Sequence, residues 1–247
     1  MKIDVLTLFP GMFENILGES ILKRAQNKGL VTIKVHNLRD WTDDFHKTAD
    51  DKPFGGGAGM VMKIEPIWRA LKELKSVVGC RLSVVEKERT PNTEYRTPKR
   101  RPKVVLLTPQ GKKYDQKIAK RLAKERRLVL ICGHYEGVDE RIRELADEEI
   151  SIGDYILTCG EIPALIVIDS VVRLIPGVLG HNDSIKRESF EDDLLEYPQY
   201  TRPAEYRGMN APGVLLSGNH KKIEEWRRGE AIKRTRARRP DLLKEKK

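Results

Sequence analysis

The chain has 247 residues, enough for one large domain, or one domain and a small appendage, with a sizeable core. Lysine and arginine outnumber aspartate and glutamate by 47 to 37, a formal charge of +10, which favours a polyanionic partner over a surface merely rich in both signs. Cys80, Cys132 and Cys159 form no C-x-x-C pair, so reduced thiols fit better than a disulfide framework or zinc ribbon; with no membrane-length apolar run and no signal-peptide features, the expected location is cytoplasmic.

In chain order, Ile3 to Phe9 is a strand candidate ended by Pro10-Gly11, followed by a helical pattern through Ile16, Ile21, Leu22 and Ala25 to Gly29. Val31 to Val35 is the next strand. A glycine-rich loop, Gly55-Gly-Gly-Ala-Gly59, precedes a helix through Ile64, Ile67, Trp68, Leu71 and Leu74. That loop lacks the Gly-Lys-Ser/Thr of a phosphate loop and the third glycine of a dinucleotide fingerprint, which leaves a plain connection or a substrate-approaching segment. Residues 86 to 103, with Pro91, Pro98 and Pro102 among charges, read as a surface excursion, either disordered or a hairpin. Val104 to Leu107, a helix from about Tyr114 to Arg126, and Leu128 to Cys132 continue the alternation.

Uninterrupted apolar strands interleaved with amphipathic helices predict an α/β fold with a mostly parallel sheet covered on both faces. Residues 181 to 196, with six carboxylates and two basic side chains, read as a linker. Asn219 is a good N-cap for a basic helix running toward Arg228.

Charge is unevenly spread. Residues 220 to 247 carry a net +7 and residues 81 to 103 a net +5, whereas residues 136 to 161 carry a net −7. The acidic block contains the glycine-bearing segments Cys132-Gly-His-Tyr-Glu-Gly137 and Ile152-Gly-Asp-Tyr-Ile-Leu-Thr-Cys-Gly-Glu-Ile-Pro163 at or near its edges. Acid there repels phosphate and suits a small polar ligand with a cationic part. A cysteine nucleophile at Cys132 or Cys159 fits poorly, since adjacency to His134 in sequence does not make a thiolate–imidazole pair.

These segments, together with Leu6-Thr-Leu-Phe-Pro, Asp51-Lys-Pro-Phe-Gly-Gly-Gly, Thr108-Pro-Gln-Gly, Ser151-Ile-Gly-Asp-Tyr, Ile168-Asp-Ser-Val, Ile175-Pro-Gly-Val-Leu and Tyr200-Thr-Arg-Pro, span nearly the whole chain. In this ordered set the sequence resembles the bacterial tRNA (guanine-N1)-methyltransferases that act at position 37. The resemblance implies a mostly parallel α/β domain with a deep C-terminal trefoil knot of the SPOUT class at 1–179, a linker at 180–195 and a small all-α tRNA-binding domain at 196–247. Topology rules alone would have rejected a knot. It further implies a homodimer with its active site at the subunit interface, tRNA rather than DNA as partner, S-adenosylmethionine as cofactor, and a magnesium requirement.

Carried over to this sequence, the cofactor loops are Leu106, Leu107, Thr108 and Pro109; Gly133, Tyr135 and Glu136; and Ile152, Gly153, Asp154, Tyr155, Ile156 and Leu157 with Gly160 and Pro163. Methylating guanine N1 requires a base for its proton and a cation for charge building on the neighbouring carbonyl oxygen. The family's arginine matches Arg173. Its aspartate, in a linker motif Glu-Asp-Ser-Phe, is replaced here by Glu188 in Arg187-Glu-Ser-Phe190, and Asp183 is a second candidate base. Cys159 stands where the family usually has glycine, which would cost about 1 kcal/mol if the position needs positive φ. His134 stands where arginine is common. Candidate phosphate contacts are Lys221, Lys222, Arg227, Arg228, Arg234, Arg236, Arg238 and Arg239. The alternatives are a related knotted methyltransferase acting on ribosomal RNA, or an RNA-binding protein without catalysis.

Overall fold

The computed structural model describes residues 1–76, 101–180 and 188–243. The chain divides into two compact units, Met1–Leu179 and Gly180–Lys247. The first runs β1 (Lys2–Thr7), α1 (Glu14–Leu17), α2 (Ser20–Asn27), β2 (Thr32–Asn37), β3 (Asp50–Asp51), β4 (Val61–Met62), α3 (Ile64–Ser76), β5 (Lys103–Lys113), α4 (Gln116–Leu122), β6 (Arg127–Cys132), β7 (Glu148–Ser151) and α5 (Glu161–Val172).

Five strands form one sheet in the order β2-β1-β6-β5-β7, and every pairing in it is parallel. Alternate strand residues feed opposite cores. Ile3, Val5, Val105, Leu107, Leu128 and Leu130 pack with Ala164, Val167 and Ile168 of α5, whereas Leu6, Val104, Leu106, Val129 and Ile131 pack with Ile67, Ala70 and Leu71 of α3. Both faces are thus covered, which is why the central β5 and β6 read as the apolar runs Val104–Leu107 and Leu128–Cys132.

Several boundaries differ from the sequence expectation for local reasons. The first expected helix is broken: a 3-10 turn at Pro10–Met12 and α1 precede α2, whose first residue Ser20 has φ 48°. The helix expected from Tyr114 to Arg126 is shorter, because Asp115 caps it by accepting from Ile118 N at 2.8 Å and it ends by Ala123. Strand β7 is hidden in the acidic run that separates the two glycine segments. Strand β5 runs well past Leu107, through a register shift that pairs both Leu107 and Lys112 with Ile150. Residues 86–100 of the expected excursion lie outside the described residues, and Lys103 already belongs to β5.

The second unit contains β8 (Glu205–Tyr206), β9 (Met209–Asn210), α6 (Gly213–Leu216) and α7 (His220–Arg238). Among its described residues the regular structure is helical apart from the β8–β9 hairpin, whose turn residues Arg207 and Gly208 have φ 51° and 77°. Helix α7 is twice as long as the basic pattern alone indicated. Asn219 caps it, accepting from Lys222 N at 3.1 Å, and the preceding segment lies along it: Thr235 Oγ1 accepts from Leu195 N at 2.8 Å, and the Arg227 guanidinium stands 4.9 Å from the Tyr197 ring centre.

Candidate active site

At the carboxyl ends of β5, β6 and β7 the first unit forms a cavity of about 580 Å³, a size typical of small-molecule sites, at the end of a parallel sheet where such sites form. Three loops wall it. The first is the four-residue bulge in β5, which contributes Thr108, Pro109 and Gln110 beside Leu106 and Leu107. The second follows β6 and contributes Gly133 to Val138; the third contributes Ile152, Gly153 and Tyr155 to Gly160, with Pro163 of α5.

The second and third loops cross at backbone contact. Gly160 N donates to Gly133 O at 2.7 Å, and His134 and Cys159 form an isolated antiparallel bridge. A Cβ on Gly160 would lie 2.5 Å from Gly133 N and 2.8 Å from Cys132 Cα, so this glycine is required for space although its φ of −84° suits any residue. The second loop is anchored from below by the strand β4 region: Glu136 N donates to Met60 O at 3.1 Å and Met62 N to Gly137 O at 3.0 Å. Within it Tyr135 has φ 59°, a left-handed conformation that costs a non-glycine residue about 1 kcal/mol and persists where surroundings over-determine it. Its ring meets the His134 ring edge-on at 4.5 Å.

The charge at the cavity wall is mixed. Arg143 is shared between Glu140 at 2.8 Å, Glu149, and Gln110 at 2.8 Å. Its positive charge is therefore compensated by two carboxylates, and Glu136 adds a third carboxylate to the cavity wall.

All cofactor candidates named from the sequence line this cavity except Asp154. Gly153, at φ 155°, turns the chain so that Asp154 faces solvent; its side chain is 87% exposed and pairs with Lys113 at 3.3 Å. The lining also includes Gln110, His134, Gly137, Val138, Glu140, Arg143, Ile150, Ser151, Thr158 and Cys159. Most of these adjoin candidates, and the sequence signal for them was proximity alone. Glu140 and Arg143 carried none, because they reach the wall from a 3-10 helix at Glu140–Leu145.

The sequence matches the family described as tRNA (Guanine-1)-methyltransferase TrmD over residues 1–245. The chain belongs to that family. Among its relatives, the tRNA (guanine-N(1)-)-methyltransferase of Anoxybacillus flavithermus is 57% identical over 244 residues, 98% of this chain and 91% of the relative. That of Dictyoglomus turgidum is 53% identical over 98% of this chain and 90% of its own length, and that of Bacillus subtilis 53% over 99% and 93%. Membership in the TrmD family makes the chain an enzyme of the methyltransferase class and its α/β fold that of the SPOUT knotted methyltransferases.

Against the usual TrmD pattern, Cys159 is accommodated without the expected strain, since it is not among the residues of positive φ. Its thiol is buried beside the loop crossing. Burial pushes the Cys132 thiol well above its ordinary pKa, with the charges of Glu161 and Cys159 adding to the shift, which disqualifies it as a nucleophile. Arg173 caps the C-terminus of α5 in the first unit, with its N–H on Asp169 O at 3.1 Å. Glu188 belongs to the second unit, and its carbonyl accepts from Glu191 N at 3.2 Å. Asp183 lies outside the described residues. Among the described residues no group of three or more His, Cys, Asp or Glu stands positioned to hold a metal, so no residues are assigned to magnesium.

The basic candidates of the second unit separate into two sets. Lys221, Lys222, Arg228, Arg236 and Arg238 are exposed. Arg227 and Arg234, which are half-buried, and Arg239, which is exposed, have structural partners: Arg227 the Tyr197 ring and Glu224 at 3.8 Å, Arg234 the Glu196 carbonyl at 3.4 Å, and Arg239 a two-pronged contact with Asp241.

Proposed function

We propose that the chain transfers the methyl group of S-adenosylmethionine to N1 of the guanine at position 37 in the tRNA anticodon loop, as a cytoplasmic homodimer. The observation that carries this reading is the cavity where glycine-bearing loops meet on the TrmD scaffold. Its peptide groups suit the edges of an adenine, and its size and the nearby Glu136 suit a ligand carrying a sulfonium. When bound, S-adenosylmethionine supplies an electrophilic methyl group. Among the chain's own groups, the carboxylate of Glu188 or Asp183 takes the N1 proton, and the guanidinium of Arg173 opposes the negative charge that builds on the adjacent carbonyl oxygen.

Helix α5 supports the dimer. Its only polar side chains are Glu161, Asp169 and Ser170, and Ile162 and Ile166 are 41% and 40% exposed, apolar surface that calls for cover. Arg173 ends that same helix, which favours an active site at the subunit interface. Among the described residues no helix is long and apolar enough to cross a membrane.

Incubation with S-adenosylmethionine and a tRNA carrying guanine at 37, read by nucleoside mass spectrometry, tests the activity. The product expected is 1-methylguanosine, and its absence sinks the reading in favour of a binding protein without catalysis. A ribosomal RNA fragment methylated in preference to tRNA would favour the second alternative. Replacing the true base, as Glu188→Gln or Asp183→Asn, is expected to slow single-turnover methylation about a hundredfold, while the other substitution leaves it within a few-fold.

For tRNA binding, Arg228→Ala and Arg236→Ala are each expected to weaken affinity uniformly across tRNA sequences and to reduce the salt slope by about one. Arg239→Ala should mainly lower the melting temperature. Filter binding across a salt series and thermal melts read the two effects separately, and equal salt slopes for all three variants would contradict the division.

A further inference from the structure

Beneath the cavity, outside its lining, lies a fully buried carboxyl group that the reaction just described does not use. Glu161 begins α5, and its Oε1 accepts a 2.5 Å hydrogen bond from the hydroxyl of Thr7, 154 positions away at the end of β1. The Thr7 oxygen in turn accepts from Phe9 N at 2.8 Å. Both residues are inaccessible to solvent, and among the described residues Glu161 Oε2 has no hydrogen-bonding partner. A buried carboxyl group with so few partners is costly.

The contacts close into a ring. Thr7 holds the backbone of Phe9, and the Phe9 ring packs on the His134 ring at 4.7 Å. His134 follows Gly133, whose carbonyl holds Gly160 N, and Gly160 precedes Glu161. Three members of the ring, Gly133, His134 and Gly160, line the cavity, while Thr7 and Glu161 do not.

We infer that the Thr7–Glu161 hydrogen bond is a positioning tie that fixes the register of the two crossing loops and thereby the shape of the methyl-donor pocket. The tie acts through the loops and touches neither donor nor tRNA. This rests on the reading of the cavity as the donor site.

The test uses the full chain with Thr7→Val, which keeps the side-chain shape and removes the hydroxyl, and Thr7→Ser, which restores it. Thr7→Ala carries the same expectation as valine should that variant not fold. With no ligand present, hydrogen exchange at residues 133–137 is expected to quicken about tenfold in Thr7→Val and to return to the original rate in Thr7→Ser. Titration with S-adenosylhomocysteine is expected to show about tenfold weaker binding for Thr7→Val, again restored by serine, with KM for tRNA and kcat at saturating donor unchanged. A merely stabilising role would lower the melting temperature without that selective loss. Unchanged loop exchange in Thr7→Val overturns the inference, as does quickened exchange with unaltered affinity. If the original chain fails to bind S-adenosylhomocysteine, the donor assignment falls, and loop exchange alone decides the tie.

Discussion

Gly160→Ala is expected to abolish measurable binding of S-adenosylhomocysteine and to lower the melting temperature by several degrees. The added methyl would sit 2.5 Å from Gly133 N and 2.8 Å from Cys132 Cα, both backbone atoms that cannot rotate away. Overpacking of this kind costs about 1–3 kcal/mol even where side chains can adjust. Here the relief must come from separating the two loops, which breaks the 2.7 Å hydrogen bond from Gly160 N to Gly133 O and displaces both walls of the cavity. A change of about 1 Å in such a wall is enough to lose most of a ligand's affinity. Gly229→Ala is the control, since Gly229 lies inside α7 with nothing within 4 Å of an added Cβ. It should raise stability by about 0.5–1 kcal/mol and leave ligand binding alone. Calorimetric titration and thermal melts separate these outcomes; normal affinity in Gly160→Ala would mean that the crossing does not shape the pocket.

The contrast between these two glycines marks how far the sequence could be read. The parallel sheet was legible because β5 and β6 are buried on both faces and carry the apolar runs Val104–Leu107 and Leu128–Cys132, and β1 keeps Ile3, Val5 and Leu6 around a single buried charge. The loops expected to hold a cofactor were named by resemblance, and most of their residues converge on one cavity. What stayed hidden depends on long-range geometry. Strand β7 carries Glu148 and Glu149 because its edge position lets them pair with Arg121 and Arg143, so its composition reads as loop. The β5 bulge leaves no local trace, since one-residue spacing cannot reveal that Leu107 and Lys112 share a partner. Asp154 matched the family motif as well as its neighbours did, yet the turn at Gly153 sends it outward. Likewise Arg227 and Arg234, half-buried against their partners, look the same in sequence as the exposed arginines beside them.

The second large effect lies away from the cavity, at Asp4 in the middle of β1. Its side chain is fully buried, and it accepts hydrogen bonds from Arg127 Nε and His36 Nε2, each at 2.8 Å, with Lys2 Nζ at 3.5 Å. Arg127 is itself buried and also holds the Leu74 carbonyl at 2.9 Å, tying β6 to the end of α3. Asp4→Asn leaves that guanidinium without its counter-charge, and breaking a buried pair in this way costs about 3–5 kcal/mol. Burial alone would raise the Asp4 pKa, but the hydrogen bonds from His36 and Arg127 and the charges of Arg127 and Lys2 outweigh it, so the carboxyl lies below its ordinary 3.8. A carboxyl depressed in the folded state contributes stability that is complete above its unfolded pKa and is lost as pH falls through the folded one. Denaturant unfolding is therefore expected to show the full deficit of Asp4→Asn at neutral pH and a deficit that shrinks below about pH 3.8 as the original aspartate protonates. A deficit that stays constant down to pH 2 would assign the loss to packing, and one below about 1 kcal/mol at neutral pH would mean that solvent already screens the charge of Arg127.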